Sequence, residues 1–149
     1  MKDMATTVIT NKLVSDAQRQ VISLVVTRSL LARMLGYNLK RIEVWAHVVW
    51  VLPEKGSPRF ISKSAVWNAF RDFRRTSANE LRVLPPHHPA TELALVSNPN
   101  NNSIYSISLT RDGFYACECL DYLKQVQVLG PARSVCKHIF AYRQSIPKS

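Results

Sequence analysis

Cysteine, glycine and acid are all scarce in this 149-residue chain. Three cysteines cannot close into disulfides without stranding one thiol. Four glycines offer no Gly-rich loop for phosphate, and neither a Ser-His-Asp order nor a paired-carboxylate motif is present. No run of about twenty apolar residues occurs, which excludes a membrane-spanning helix. Met1 to Thr7 lacks the apolar core of a secretory signal. Acid is outnumbered, with ten Asp and Glu against twenty Lys and Arg, for a net charge of +10. A balance that basic points to a polyanionic partner, nucleic acid above all, although phosphate contacts carry no sequence information. A hydrophobic content of 46% is enough for a real core.

The three thiols lie together. Cys117-Glu118-Cys119 is followed by sixteen residues and then Cys136-Lys137-His138. Three thiolates and an imidazole complete a tetrahedral Zn²⁺ site of the Cys₃His type. Cys-X-Cys has period two, so on a strand both sulfurs point to one face. Ser103 to Leu109 alternates as a strand, Arg111-Asp112-Gly113 is a tight-turn signal, and Phe114 to Cys117 resumes an extended run. Ile139, Phe140 and Tyr142 fit a helix over 137–144. The expectation is a ββα zinc knuckle with ligands at the hairpin end and the helix start. Thiols reserved for metal imply a reducing compartment, cytoplasmic or, in a eukaryote, nuclear.

This ligand order behind a hairpin resembles the SWIM zinc finger. That module occurs in chromatin-remodelling ATPases, Mutator-type transposases, partners of recombinase paralogues and a ubiquitin-ligating kinase. The resemblance rests on Cys117, Cys119, Cys136 and His138 and covers about residues 92 to 143. It implies a structural zinc and binding to DNA or to another protein.

Upstream of the knuckle the pattern is mixed. Residues 1 to 14 read as a loose arm or as one short strand, Thr7 to Thr10. A helix is expected from Ser15 to Leu35, opened by the capping box Ser15-Asp16-Ala17-Gln18 and closed by Gly36. Apolar residues occupy two of its faces, which places it in the core or in a homodimer interface. Arg41 to Leu52 reads as one strand, with Ile42, Val44, Ala46, Val48, Trp50 and Leu52 inward and Arg41, Glu43, Trp45 and His47 on the wetter side. Lys63 to Arg75 is an amphipathic helix capped by Ser62 or Ser64. Short strands follow over 80–84 and 92–97. Pro85-Pro86-His87-His88-Pro89 cannot continue either regular structure. The expected organisation is an N-terminal α+β region (1–84), a Pro/His linker (85–91) and a zinc module (92–149), α+β throughout.

For function, two classes stay open. In the first, Lys63, Arg71, Arg74 and Arg75 on the basic helix join Lys124, Arg133, Lys137 and Arg143 around the finger to grip the phosphates of nucleic acid, with DNA favoured over RNA. In the second, those charges are solvated faces and the finger is an adaptor that docks on another protein. Catalysis is not expected, because four ligands close the zinc shell and leave no position for water. Glu118 and Asp121 are the nearest carboxylates and could orient a ligand.

Overall fold

A computed structural model describes residues 6–9 and 15–147. It is an α+β protein with two four-stranded sheets, and its chain divides into compact units at residues 1–70 and 71–149. No helix among the described residues is long and apolar enough to cross a membrane.

The first unit begins with β1 (Thr6–Ile9), which runs parallel to β2 (Leu39–Val44). Thr10, the expected end of that first strand, lies outside the described residues. Between these strands come α1 (Asp16–Val25) and α2 (Arg28–Leu35), where one helix was expected. The Ser15–Gln18 capping box is present. The break falls at Val26 and Thr27. Thr27 is extended (φ −114°, ψ 153°), and its Oγ1 accepts the Leu30 N–H at 3.1 Å. A threonine that caps the following turn competes with the continuous helical ladder, and here the cap prevails. Gly36 closes α2 at φ 79°, a left-handed conformation that glycine adopts without a Cβ penalty. Val25 and Leu31 of one apolar face and Val26 and Leu30 of the other are buried, so both faces contribute to packing within the chain.

The expected strand from Arg41 to Leu52 is a hairpin. β2 turns at 45–47 and returns as β3 (Val48–Pro53), with the Trp45 N–H donating to Val48 O at 2.9 Å. Period-two alternation ran through the turn, but the buried set changes parity across it. Ile42 and Val44 are inward before the turn; Val49 and Val51 are inward after it. Trp50, expected inside, therefore sits on the opposite face, where its register partners are Glu43 and Phe60. β4 (Arg59–Ser62) completes the sheet, and α3 (Lys63–Ser77) follows with Ser62 Oγ accepting the Ala65 N–H at 3.1 Å. Val66 and Phe70 are the buried residues of α3.

The unit boundary lies inside α3, between Phe70 and Arg71, and not at the Pro/His segment. That segment instead joins β5 (Arg82–Leu84) to β6 (Ala94–Asn98), antiparallel neighbours in one sheet, with Val83 opposite Val96. Prolines that end a strand are compatible with a loop between paired strands, so they mark a connection here and not a domain border. The sheet continues through β7 (Ser103–Leu109) and β8 (Tyr115–Cys117) in antiparallel order.

Two helices finish the chain, α4 (Leu120–Leu129) and α5 (Lys137–Ser145). Only α5 was expected. The sixteen residues between the ligand pairs hold a helix, signalled by Tyr122, Val126 and Leu129 at helical spacing and by Gly130 after them. The C-terminal module is thus larger than the expected ββα knuckle. Its core joins Val96 and Ile107 of the sheet to Ile139, Phe140 and Ala141 of α5, with Ala78 and Val135.

Candidate metal centre

Each ligand sits at the end of an element. Cys117 is the last residue of β8, Cys119 is the N-cap of α4, Cys136 is the N-cap of α5, and His138 lies in the first turn of α5. Cys119 has left the strand but keeps extended backbone (φ −69°, ψ 154°), so the period-two geometry that turns both sulfurs to one side persists. One ligand atom from each of the four residues lies within 4.8 Å of the others, and all four residues are buried. Among the described residues this is the cluster that could hold a metal ion.

Two helix N-termini meet the site, and each begins at a thiol. The partial positive charge of a helix start favours thiolate over thiol. The Tyr122 N–H makes the local bond explicit, donating to Cys119 Sγ at 3.3 Å. Hydrogen bonds from Cys117 and Cys136, with lesser help from His138 and the Tyr122 amide, hold the Cys119 thiol far below its usual range. Its neighbours move the other way. Hydrogen bonding to Cys119 pushes the Cys117 thiol up to about 12. Hydrogen bonding to Cys117 and Cys119, with burial, pushes Cys136 up as well. Burial, followed by the nearby Cys136 and Cys117, also raises the Tyr122 phenol. Three thiols this close and this buried cannot all ionise without a cation between them.

A dication resolves that conflict, and His138 supplies a second test of fit. Its Nδ1 is buried and has no hydrogen-bond partner. An unsatisfied buried polar nitrogen costs about 1–3 kcal/mol, a cost that a metal bond removes. The donor set of three sulfurs and one imidazole matches the preference of Zn²⁺ for tetrahedral N/S coordination.

Neighbouring groups fix the ligands. Tyr105 of β7 packs on the His138 ring with centroids 4.8 Å apart. Tyr122 Oη donates to Tyr115 O at 3.2 Å, tying α4 to β8. The buried Gln125 bonds both polar groups of Val135, the residue before Cys136, and its Nε2 also donates to Asp121 Oδ2 at 3.1 Å. Asp121 in turn accepts two bonds from Arg74, from Nε at 2.9 Å and Nη2 at 2.8 Å. The chain from Arg74 through Asp121 and Gln125 to Val135 ends beside a ligand. Of the two carboxylates expected to serve the site, Asp121 enters this network and Glu118 is exposed. Gln125 and Tyr105 were not legible as site residues, since an amide on a helix and an aromatic on a strand carry no metal signature.

The basic residues divide. Lys124, Arg133 and Arg143 are exposed, and Arg143 lies over the Tyr115 ring at 5.6 Å. Lys137 is half-buried at the start of α5. Arg75 is exposed, pairs with Asp72 at 2.9 Å and lies 5.4 Å from the centre of the Phe140 ring. Arg71 Nη2 donates to Arg133 O at 3.4 Å. Lys63 belongs to the first unit, where its Nζ donates to Ala46 O at 2.9 Å. Arg74, expected to face phosphate, directs its guanidinium fork at Asp121 instead, and its place in the fold is that of a tie to α4.

Searches of protein-family models, curated proteins and solved structures find no match to this chain.

Proposed function

We propose that this chain is a non-catalytic, zinc-stabilised nucleic-acid-binding protein of the SWIM kind, with DNA the favoured target. One observation carries the zinc half of this reading: a buried Cys₃His cluster with its ligand atoms within 4.8 Å. Its ligand order, Cys117-X-Cys119 then Cys136-X-His138, is the order of the SWIM pattern. Four protein ligands close a tetrahedral shell, so the metal acts as a staple. The net charge of +10 and the exposed Lys124, Arg133 and Arg143 of the zinc unit support a polyanionic partner.

The experiment is binding to random-sequence duplex and single strands at low and moderate salt. A phosphate-gripping protein loses affinity steeply as salt rises. No binding at low salt would overturn this reading and favour an adaptor that docks on another protein. The adaptor reading has its own support in α4, where Leu120 and Leu123 are 65% and 49% exposed beside a ligand helix start.

A further inference from the structure

The first unit presents an aromatic surface that neither its core nor the zinc site uses. Its origin is the hairpin's change of parity. Direct partners across an antiparallel ladder share a face. The register places Glu43 beside Trp50 and Trp50 beside Phe60, which makes one row across β2, β3 and β4. Trp45, just past the end of β2, closes on Phe60 edge-on, with centroids 5.2 Å apart and planes at 65°. Phe60 is 59% exposed and Trp45 37%, while Trp50 between the strands is half-buried. Large rings held on the open face of a sheet cost apolar exposure, which globular folds ordinarily minimise.

The charges on this face favour an anion. Its carboxylate, Glu43, is already engaged by Arg41 Nε at 3.3 Å and by the Trp45 indole N–H at 3.4 Å. Arg41 and Glu43 offset each other, so the net positive charge comes from Lys63, which reaches the turn between β2 and β3. Planar rings with a cationic fringe suit unpaired bases, whose faces stack on aromatics while the backbone meets Lys and Arg. A duplex keeps its base faces stacked inside and has nothing to offer Phe60.

We infer that the outer face of this sheet, centred on Trp50, Phe60 and Trp45, is a base-stacking surface for single-stranded nucleic acid. This rests on the nucleic-acid reading above and specifies the form of the strand. Stacking on rings reads no base identity, so the surface is sequence-tolerant.

The test uses the full chain loaded with zinc, a fluorescein-labelled twenty-nucleotide oligo(dT) and a duplex of equal length. All three tryptophans lie in residues 1–70, which gives an intrinsic probe. Oligo(dT) should quench their emission, and Phe60→Ala should weaken its binding on the order of tenfold, as loss of one stacked base does. Phe60→Trp should restore it, and duplex binding should be unmoved by either change. Because Phe60 is largely exposed, its far-UV spectrum and melting temperature should stay at the parent values. Unchanged oligo(dT) affinity in both Phe60→Ala and Trp45→Ala would overturn the stacking surface and leave the nucleic-acid reading intact. A parent that binds neither probe at low salt would remove both. If Phe60→Ala instead abolishes a concentration-dependent dimer seen by light scattering, the face is a self-association surface and the inference fails.

Discussion

The side-chain amide of Gln125 clamps Val135 through the two peptide groups that flank its Cα. Its Oε1 accepts the Val135 N–H at 3.0 Å, and its Nε2 donates to Val135 O at 3.1 Å. Both partners are buried, so truncating the side chain leaves two backbone groups unsatisfied beside Cys136. Gln125→Ala should destabilise the zinc unit by about 2–4 kcal/mol in denaturant titration. Groups that orient a ligand typically contribute about 10–100-fold to metal affinity, and a chelator competition should show a loss of that size. Parent-like zinc affinity in a folded Gln125→Ala would mean that the clamp holds the loop and not the ligand.

Arg74 and Asp121 bear on where phosphate binds. The pair is bidentate yet partly exposed, with side-chain accessibilities of 22% and 38%, so solvent screens it. Arg74→Ala should cost about 1 kcal/mol or less. Arg74→Lys should recover only part of this, because an ammonium cannot reproduce the fork. The same substitutions should leave the salt slope of nucleic-acid binding unchanged. Lys124→Ala or Arg143→Ala, at exposed positions, should lower that slope by about one unit each. A slope that falls with Arg74→Ala would return Arg74 to the binding surface.

The Cys₃His cluster was legible in the sequence because metal chemistry restricts residue type and spacing together. β7 and α5 were legible because their patterns end at clear signals, the Arg111-Asp112-Gly113 turn and the ligand pair at Cys136. The first unit was harder. Alternation over residues 42–52 continues smoothly through a turn that has no glycine, proline or asparagine to announce it. Only pairing energy across β2 and β3 decides that the chain folds back. The helix over 15–35 broke for a related reason, since Thr27 is an acceptable helix residue and a better cap. The contact boundary inside α3 was not legible, because a helix that continues across it carries no break in pattern there, whereas prolines that end a strand do.

Protonation of the thiols sets the pH dependence of the closed site and of zinc binding. In the metal-free state Cys117 is raised from the ordinary 9.0 to about 12, and Cys136 moves the same way. A raised folded value gives stability that is full below 9.0 and is lost as pH climbs toward 12. The lowered Cys119 contributes above 9.0 and fades as pH falls. The metal-free unit opens, however, so these shifts are read through zinc binding and not through a melting temperature. Zinc must displace the thiol protons, so its affinity should fall as pH falls, with about two to three protons released per ion at neutral pH. Calorimetry in two buffers of different ionisation enthalpy counts those protons. A count near zero would mean that the thiols are not the ligands.

Removing the metal should be visible in one half of the spectrum. Cys117, Cys119 and Cys136 belong to the same packed cluster as Val96, Ile107 and Ile139, so opening the site opens the core of the second unit. Structural zinc of this ligand class contributes about 10–16 kcal/mol of apparent binding energy, as much as a small domain's entire stability of about 5–15 kcal/mol. Tyr105, Tyr115, Tyr122 and Tyr142 lie in residues 71–149, whereas Trp45, Trp50 and Trp67 lie in residues 1–70 with a core of their own. A strong chelator, or Cys119→Ser, should collapse the near-ultraviolet tyrosine signal and leave the tryptophan emission maximum in place. Metal analysis should find a single zinc equivalent in the parent and much less in the variant. If the tyrosine signal survives complete zinc removal, the Cys₃His cluster is not what holds that unit together.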